Sequence, residues 1–343
     1  MAQPPFRRMI DAYAHFLPVS YYDRLLSVAP DKAGIKRWLN LPVLWDLDAR
    51  IAMMGRWPGY QQIVTLSSPP IESIASPADA PELAALANDE MGEIHERRPD
   101  LFPGWVASLP MNSPADAVIE IDRAFTMPGC LGVQIFTNVA GRPLDQPEYR
   151  PIFAEMERRD RPIWMHPARP ARFADYVAEE QSEYEIWWAF GWPYESSAAM
   201  ARLVFSGIML EHPRIKIITH HMGGMIPFFE GRIGLGWDQL GSRTPGDELS
   251  TLLASMPARP VDYFRRFYAD TALSGSLSGT RCGLDFFGVD HVVFGTDCPF
   301  DPDGGPLFID ETIGVIEKLG LSEDDRERIY SGNVSRISGL VVG

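Results

Sequence analysis

Short β-branched or apolar runs recur along the chain, each followed by a polar residue and then by a stretch in which apolar positions return every three or four residues. Eight such runs stand out: Met9–Tyr13, Ile63–Leu66, Leu101–Val106, Gly132–Phe136, Ile163–Met165, Ile215–Thr219, Phe267–Ala269 and His291–Phe294. Helical periodicity fills the intervals, as in Pro81–Arg98, Pro114–Phe125, Pro147–Arg159, Ser197–Ile208 and Leu307–Leu319. Strands alternating with helices predict parallel βαβ units, because a parallel pair needs a long crossover. Eight units fit an α/β fold of the closed (β/α)8 TIM-barrel type; an open doubly wound sheet gives the same alternation, and the placement of the polar residues decides between them. No repeat and no linker of altered composition interrupts the pattern, so residues 1–343 read as one domain. Residues 16–60 are too long for a plain connection and carry Trp38, Trp45 and Trp57; they read as a lid-like insertion after the first strand. Ala168–Glu195, rich in aromatics and carboxylates, is a second covering segment. Ser322 and Asp325 have the spacing of a capping box opening a last helix, and Gly332-Asn333 reads as its end.

The chemistry-bearing side chains fall at or just past the C-terminal ends of the runs. Tyr13 and His15 follow the first, His166 the fifth, His220 and His221 the sixth, and Asp297 the eighth. In a barrel these ends converge on one mouth, where active sites are built. Imidazole and carboxylate are the ligand types that hold zinc, manganese or iron. Residues two apart on a strand share a face, so Tyr13 and His15 can both look into the lumen. Adjacent His220 and His221 cannot do so in a regular strand; one belongs to the site, and His220 is read as packing around it. A lone buried histidine is ordinarily a hydrogen-bonded core residue, and Asp297 alone could cap a helix. Their joint placement is what points to a metal. By the same standard His95, His212 and His291 read as solvated or packing histidines, and Cys298 as packing. Trp187, Trp188 and Trp192 suit either core or a pocket wall for a planar substrate, with Trp188 taken as the contact.

Composition narrows the partners. Lys and Arg number 31 against 46 Asp and Glu, and a net charge of −15 repels phosphate backbones and anionic lipid, so no nucleic-acid or membrane partner is expected. The three cysteines form neither a C-x-x-C pair nor an even framework, which suits reduced thiols in the cytoplasm. The N-terminal residues lack the apolar core of a signal peptide, and no apolar stretch nears the ~20 residues of a membrane span. No G-x-G-x-x-G or Walker sequence is present.

Four ordered stretches carry a resemblance: Ile10-Asp-Ala-Tyr-Ala-His15, Trp164-Met-His-Pro167, Lys216-Ile-Ile-Thr-His-His-Met-Gly-Gly224 with Arg232 beyond it, and Phe294-Gly-Thr-Asp-Cys-Pro299. Together they resemble the amidohydrolase-related family that includes aminocarboxymuconate-semialdehyde decarboxylase and the resorcylate and carboxyvanillate decarboxylases. The resemblance implies one divalent metal, zinc first with manganese or iron as alternatives, held by His15, His166 and Asp297, with Tyr13 in the ligand position where the family's first-strand H-x-H begins. It further implies His221, with Asp297, as general acid or base. Arg50 and Arg232 become clamps for a small-molecule carboxylate, Arg232 reaching the neighbouring site of a homodimer. The implied reaction is decarboxylation, or hydrolysis, of a small aromatic or unsaturated carboxylic acid. Tyrosine departs from the family pattern, since a phenol ligates well only as phenolate. Tyr13 is thus either a spectator donor or a phenolate ligand. The latter would suit a dinuclear iron or manganese–iron oxygenase, with Glu179, Glu180, Glu183 and Glu185 available to a second metal. A non-catalytic partner of an active homologue is the third reading.

Overall fold

The structure, a computed structural model, describes residues 7–28 and 40–341. Its core is one parallel sheet of eight strands: β1 (Met9–Phe16), β2 (Tyr60–Leu66), β3 (Gly104–Ser108), β4 (Cys130–Phe136), β5 (Ile163–His166), β6 (Ile217–Thr219), β7 (Tyr268–Asp270) and β8 (Val292–Val293). Spatial order follows chain order, and helices fill the connections, so the predicted alternation holds at every step. The ring closes between β8 and β1 through one bridge, Ala14 to Cys298, with Ala12 N–H donating to Phe294 O and His15 N–H to Cys298 O, both at 2.8 Å. This is the (β/α)8 barrel.

Every strand sends apolar bulk into the lumen. Ile10, Ala12, Tyr13, Ile63, Val106, Leu131, Trp164, Ile218, Tyr268 and Val293 form one buried cluster, joined by Val334 and Ile337 from the C-terminal helix. The lumen is therefore a packed core, as barrels of this size require. Trp164 crosses it, its indole N–H donating to Ala12 O at 2.8 Å. A Cβ on Gly132 would lie 2.2 Å from Pro162 O and 2.5 Å from the Trp164 ring, so β4 and β5 close up only around a glycine.

In β1, Ile10 and Ala12 share a face by alternation, yet Tyr13 also joins the lumen cluster. The register of β1 against β2 shifts between Asp11 and Ala14, and such an irregularity re-aims the side chains beyond it. Tyr13 and His15 thereby reach the barrel interior at its mouth.

The segment after β1 folds into helices Val19–Val28, Pro42–Trp45 and Leu47–Met54, whose Tyr21, Leu25, Leu44, Met53 and Met54 are buried in the outer core. Trp38, counted in the lid-like insertion, lies outside the described residues. Near Tyr21 of this segment Glu72 is buried, its Oε1 without a hydrogen-bond partner, and the Tyr21 hydroxyl is equally unpartnered. Burial pushes the Glu72 carboxyl up to about 8, and burial followed by proximity to Glu72 pushes the Tyr21 phenol up. At the other end Ser322 caps its helix by accepting from Asp325 N–H, as expected. Gly332-Asn333 does not end it. The Asn333 amide donates to Val289 O and Val292 O, tying the chain to β8, while the helix continues through Ser338 and stops at Gly339 in the left-handed region.

Candidate metal centre

Asp11 holds the first edge of the site. Its Oδ1 accepts from Tyr13 N–H (3.0 Å) and Thr296 N–H (3.1 Å), and its Oδ2 from the hydroxyls of Tyr60 (2.6 Å) and Thr296 (2.5 Å). A buried carboxylate thus stitches the β1 irregularity to the segment after β8. Burial pushes its pKa up to about 6 against the pull of those hydrogen bonds.

Three imidazoles then converge, each anchored at Nδ1. His15 Nδ1 lies 3.0 Å from Thr65 Oγ1, His166 Nδ1 lies 2.7 Å from Pro167 O, and His220 Nδ1 pairs with the Asp270 carboxylate at the end of β7. Nε2 of His15 and of His220 is buried without a hydrogen bond. One donor atom from each of His15, His166 and His220 lies within 4.8 Å of the others, and the same holds for His220, His221 and Asp297. Asp297 Oδ1 stands 3.3 Å from His15 Nε2 and 3.4 Å from His220 Nε2, with Oδ2 3.5 Å from His221 Nε2. Buried polar atoms are ordinarily hydrogen-bonded, so orphaned lone pairs aimed at one point suit a cation.

Strand alternation was expected to exclude either His220 or His221, and it excludes neither. Regular strand ends at Thr219, and His221 (φ 54°) and Met222 (φ 52°) turn through the left-handed region. The two rings come to 3.7 Å, and both face Asp297. His220, expected as packing or support around the site, thus faces Asp297 alongside His221. Gly224 makes the turn possible, since a Cβ there would sit 2.4 Å from Pro193 O. Asp297 itself has φ 64°, and three non-glycine residues of this kind at one mouth mark strain held by the surrounding fold.

Charge within the cluster is shared unevenly. Burial lowers His15 and His221 and, with the neighbouring imidazoles, holds His166 well below its ordinary value. Burial also pulls His220 down, but Asp270 and Asp297 outweigh it and raise it to about 9. For Asp297, burial alone would raise the carboxyl; the facing His15, His220 and His221 hold it well below the usual carboxylate range. Burial, then Asp270 and Asp297, push the Tyr13 phenol well above 10.

Tyr13 is fully buried, its ring stacked on His220 at 4.0 Å and its hydroxyl without a hydrogen bond. Arg50 is no free clamp: it is buried, and its guanidinium is committed to Val43 O (2.6 Å), Gln62 Oε1 (2.9 Å) and His15 O (2.5 Å), so it braces the end of β1. Trp188 is 46% exposed, and of the three tryptophans Trp187, Trp188 and Trp192 the one packed beside the histidines is Trp192, 5.3 Å from His166 and stacked 6.2 Å from His221. Trp192 belongs to the second covering segment, pinned there by its N–H to Arg169 O at 3.3 Å. Arg232 is exposed on the helix Glu230–Trp237, away from any ion pair among the described residues. Glu179, Glu180, Glu183 and Glu185 point to solvent and join no metal-binding group among those residues. His95 and His291 bond backbone carbonyls and His212 pairs with Glu157, as packing histidines do. Asp270 was missed, although it stands one residue past the seventh run, where the strand-end rule already pointed.

The amidohydrolase family profile matches residues 10–339. Gamma-resorcylate decarboxylase of Rhodococcus jostii is 30% identical over 349 residues, covering 95% of this chain and 93% of its own. A 2-amino-3-carboxymuconate-6-semialdehyde decarboxylase of Dictyostelium discoideum is 28% identical over 296 residues, covering 86% and 77% respectively. Among solved structures, a dihydroxybenzoic acid decarboxylase from a Polaromonas species, with bound manganese and the inhibitor 2-nitroresorcinol, superposes with a TM-score of 0.77 at 26% identity, covering 98% of each chain. A closed eight-stranded barrel and a match running from β1 to the last helix lead to one conclusion: this chain belongs to the amidohydrolase family.

Proposed function

We propose that the protein is a metal-dependent carboxy-lyase that decarboxylates a small aromatic or unsaturated carboxylic acid. The observation that carries this reading is the set of orphaned, Nδ1-anchored imidazoles facing Asp297 at the barrel mouth. His15, His166 and Asp297 would hold one divalent metal, and their nitrogen and oxygen donors fit zinc, our first choice, as well as manganese. Bound there, the ion would act as a Lewis acid toward negative charge on the substrate's oxygens.

The remaining steps belong to the chain. His221, partly exposed beside Asp297 Oδ2, is placed to deliver a proton to the carbon that loses carbon dioxide, so that C–H replaces C–CO2−. Trp192 offers a flat wall against which a planar substrate can lie. Tyr13, buried and stacked on His220, would line the floor beneath the histidines. Arg232 lies on a helix that also exposes Leu235 (69%) and is preceded in the chain by exposed Phe228 (79%), which supports a homodimer in which Arg232 approaches the neighbouring site and grips a carboxylate. Among the described residues no helix is long and apolar enough to cross a membrane. The three free cysteines support a cytoplasmic location.

The test is direct. Metal-loaded protein is offered hydroxylated benzoates and related unsaturated acids in deuterated water, and carbon dioxide and product are quantified. Release of carbon dioxide with one deuterium at the vacated carbon is expected. Folded, metal-loaded protein inert across the panel would refute the reading.

A further inference from the structure

We infer that His220 is itself a metal ligand, completing with His15, His166 and Asp297 a donor set of three nitrogens and one oxygen. The inference rests on the metal-dependent reading above and extends it to a histidine that the H-x-H, fifth-strand and eighth-strand positions leave out.

Three features single out His220. Its Nδ1 is held by Asp270, a buried carboxylate, in the arrangement by which proteins orient a metal-binding imidazole and leave Nε2 free. That Nε2 is buried and has no hydrogen bond, as is true of His15 Nε2. Both approach the same oxygen, Asp297 Oδ1, at 3.4 and 3.3 Å. Charge-assisted N–H···O bonds settle at about 2.7–2.9 Å, so these spacings are too long for strong pairing. A tetrahedral shell with metal–ligand distances of ~2.0–2.1 Å has donor-to-donor edges of about 3.4 Å, which these spacings match.

The neighbours fix the ring. Tyr13 stacks on His220 at 4.0 Å and 20°, and the His221 ring lies at 3.7 Å, so the imidazole has little room to swing away. A first-strand tyrosine that packs against His220 and a sixth-strand histidine that ligates then form one device: β1 contributes one imidazole, and the strand-end pair on β6 supplies the one that Tyr13 does not. His221 differs from His220 in each respect. It faces the other oxygen, Asp297 Oδ2, its side chain is 17% exposed, and among the described residues no carboxylate pairs with its Nδ1, which leaves it for proton transfer.

X-ray absorption on the zinc-loaded wild-type chain counts the imidazoles bound to the ion. Three per zinc are expected; two per zinc overturn the inference while the metal-dependent reading stands, and a chain that binds no divalent metal overturns both. In competition with a chromophoric chelator, His220→Asn should lower zinc affinity by at least ~100-fold, Asp270→Asn by about 10–100-fold, and His221→Asn should stay within about threefold of wild type. Unchanged affinity in a folded His220→Asn, alongside loss in His166→Ala, again overturns it. Should His220→Asn fail to fold, the wild-type imidazole count decides alone.

Discussion

Glu72 is buried near Tyr21, and its carboxyl is pushed from 4.5 to about 8 because burial disfavours the charged form. A group whose folded pKa is raised contributes stability that is fully present below its unfolded pKa and is lost as pH climbs through the folded value. Between pH 4.5 and about 8 the folded chain keeps a proton that the unfolded chain has released, and the gap corresponds to about 5 kcal/mol. Against a typical total of ~5–15 kcal/mol this is a large share. Glu72→Gln removes the titration while keeping the shape. Equilibrium urea unfolding, followed by circular dichroism at steps from pH 4.5 to 9, measures the difference between the two proteins, in which every other titrating group cancels. Wild type should lose stability relative to the variant across that window and level off above it. Parallel curves would show that Glu72 ionises freely in the folded state, and the argument from burial would be wrong.

Other outcomes follow from the site. Asp11→Ala strands the buried N–H groups of Tyr13 and Thr296, at ~1–3 kcal/mol each, so denaturant unfolding should show a loss of about 2–6 kcal/mol; an effect below 1 kcal/mol would mean that β1 is not held there. His166→Ala should come through purification without metal by elemental analysis, and a full complement of metal would remove it from the ligand set. Arg232→Ala should raise KM with little change in metal content. Mixing it with inactive His221→Ala should restore part of the activity, since mixed dimers carry one intact composite site; no recovery in demonstrated mixed dimers would count against a shared site.

Much of this was legible in the chain because β-branched runs and helical periodicity report burial directly. All eight predicted runs are strands or overlap them, and the residues just past their ends do meet at one mouth. What escaped depends on backbone turns and on which of several similar groups packs nearest. The alternation rule that separates His220 from His221 holds only while the chain stays extended, and here His220 is still extended while His221 turns into the left-handed region. Trp188 and Trp192 lie four residues apart, and only the start of the helix Gly191–Phe205 decides which ring reaches the histidines. Arg50 was read by its charge, yet carbonyls of Val43 and His15 claim its donors, a contact between distant segments that no local pattern reports.

The seam between β8 and β1 has a kinetic meaning as well. Asp297 N–H donates to Tyr13 O, Thr296 to Asp11, and His15 N–H to Cys298 O, so nearly the whole length of the chain lies between the partners of each contact. Contacts so far apart in sequence carry a high loop-closure cost and tend to form late. During synthesis β1 emerges first and must wait for the last strand before His15 and Asp297 can stand together. At the proposed centre, ion capture would then report completed folding, because a chain truncated before residue 297 lacks the carboxylate that faces His15 and His220.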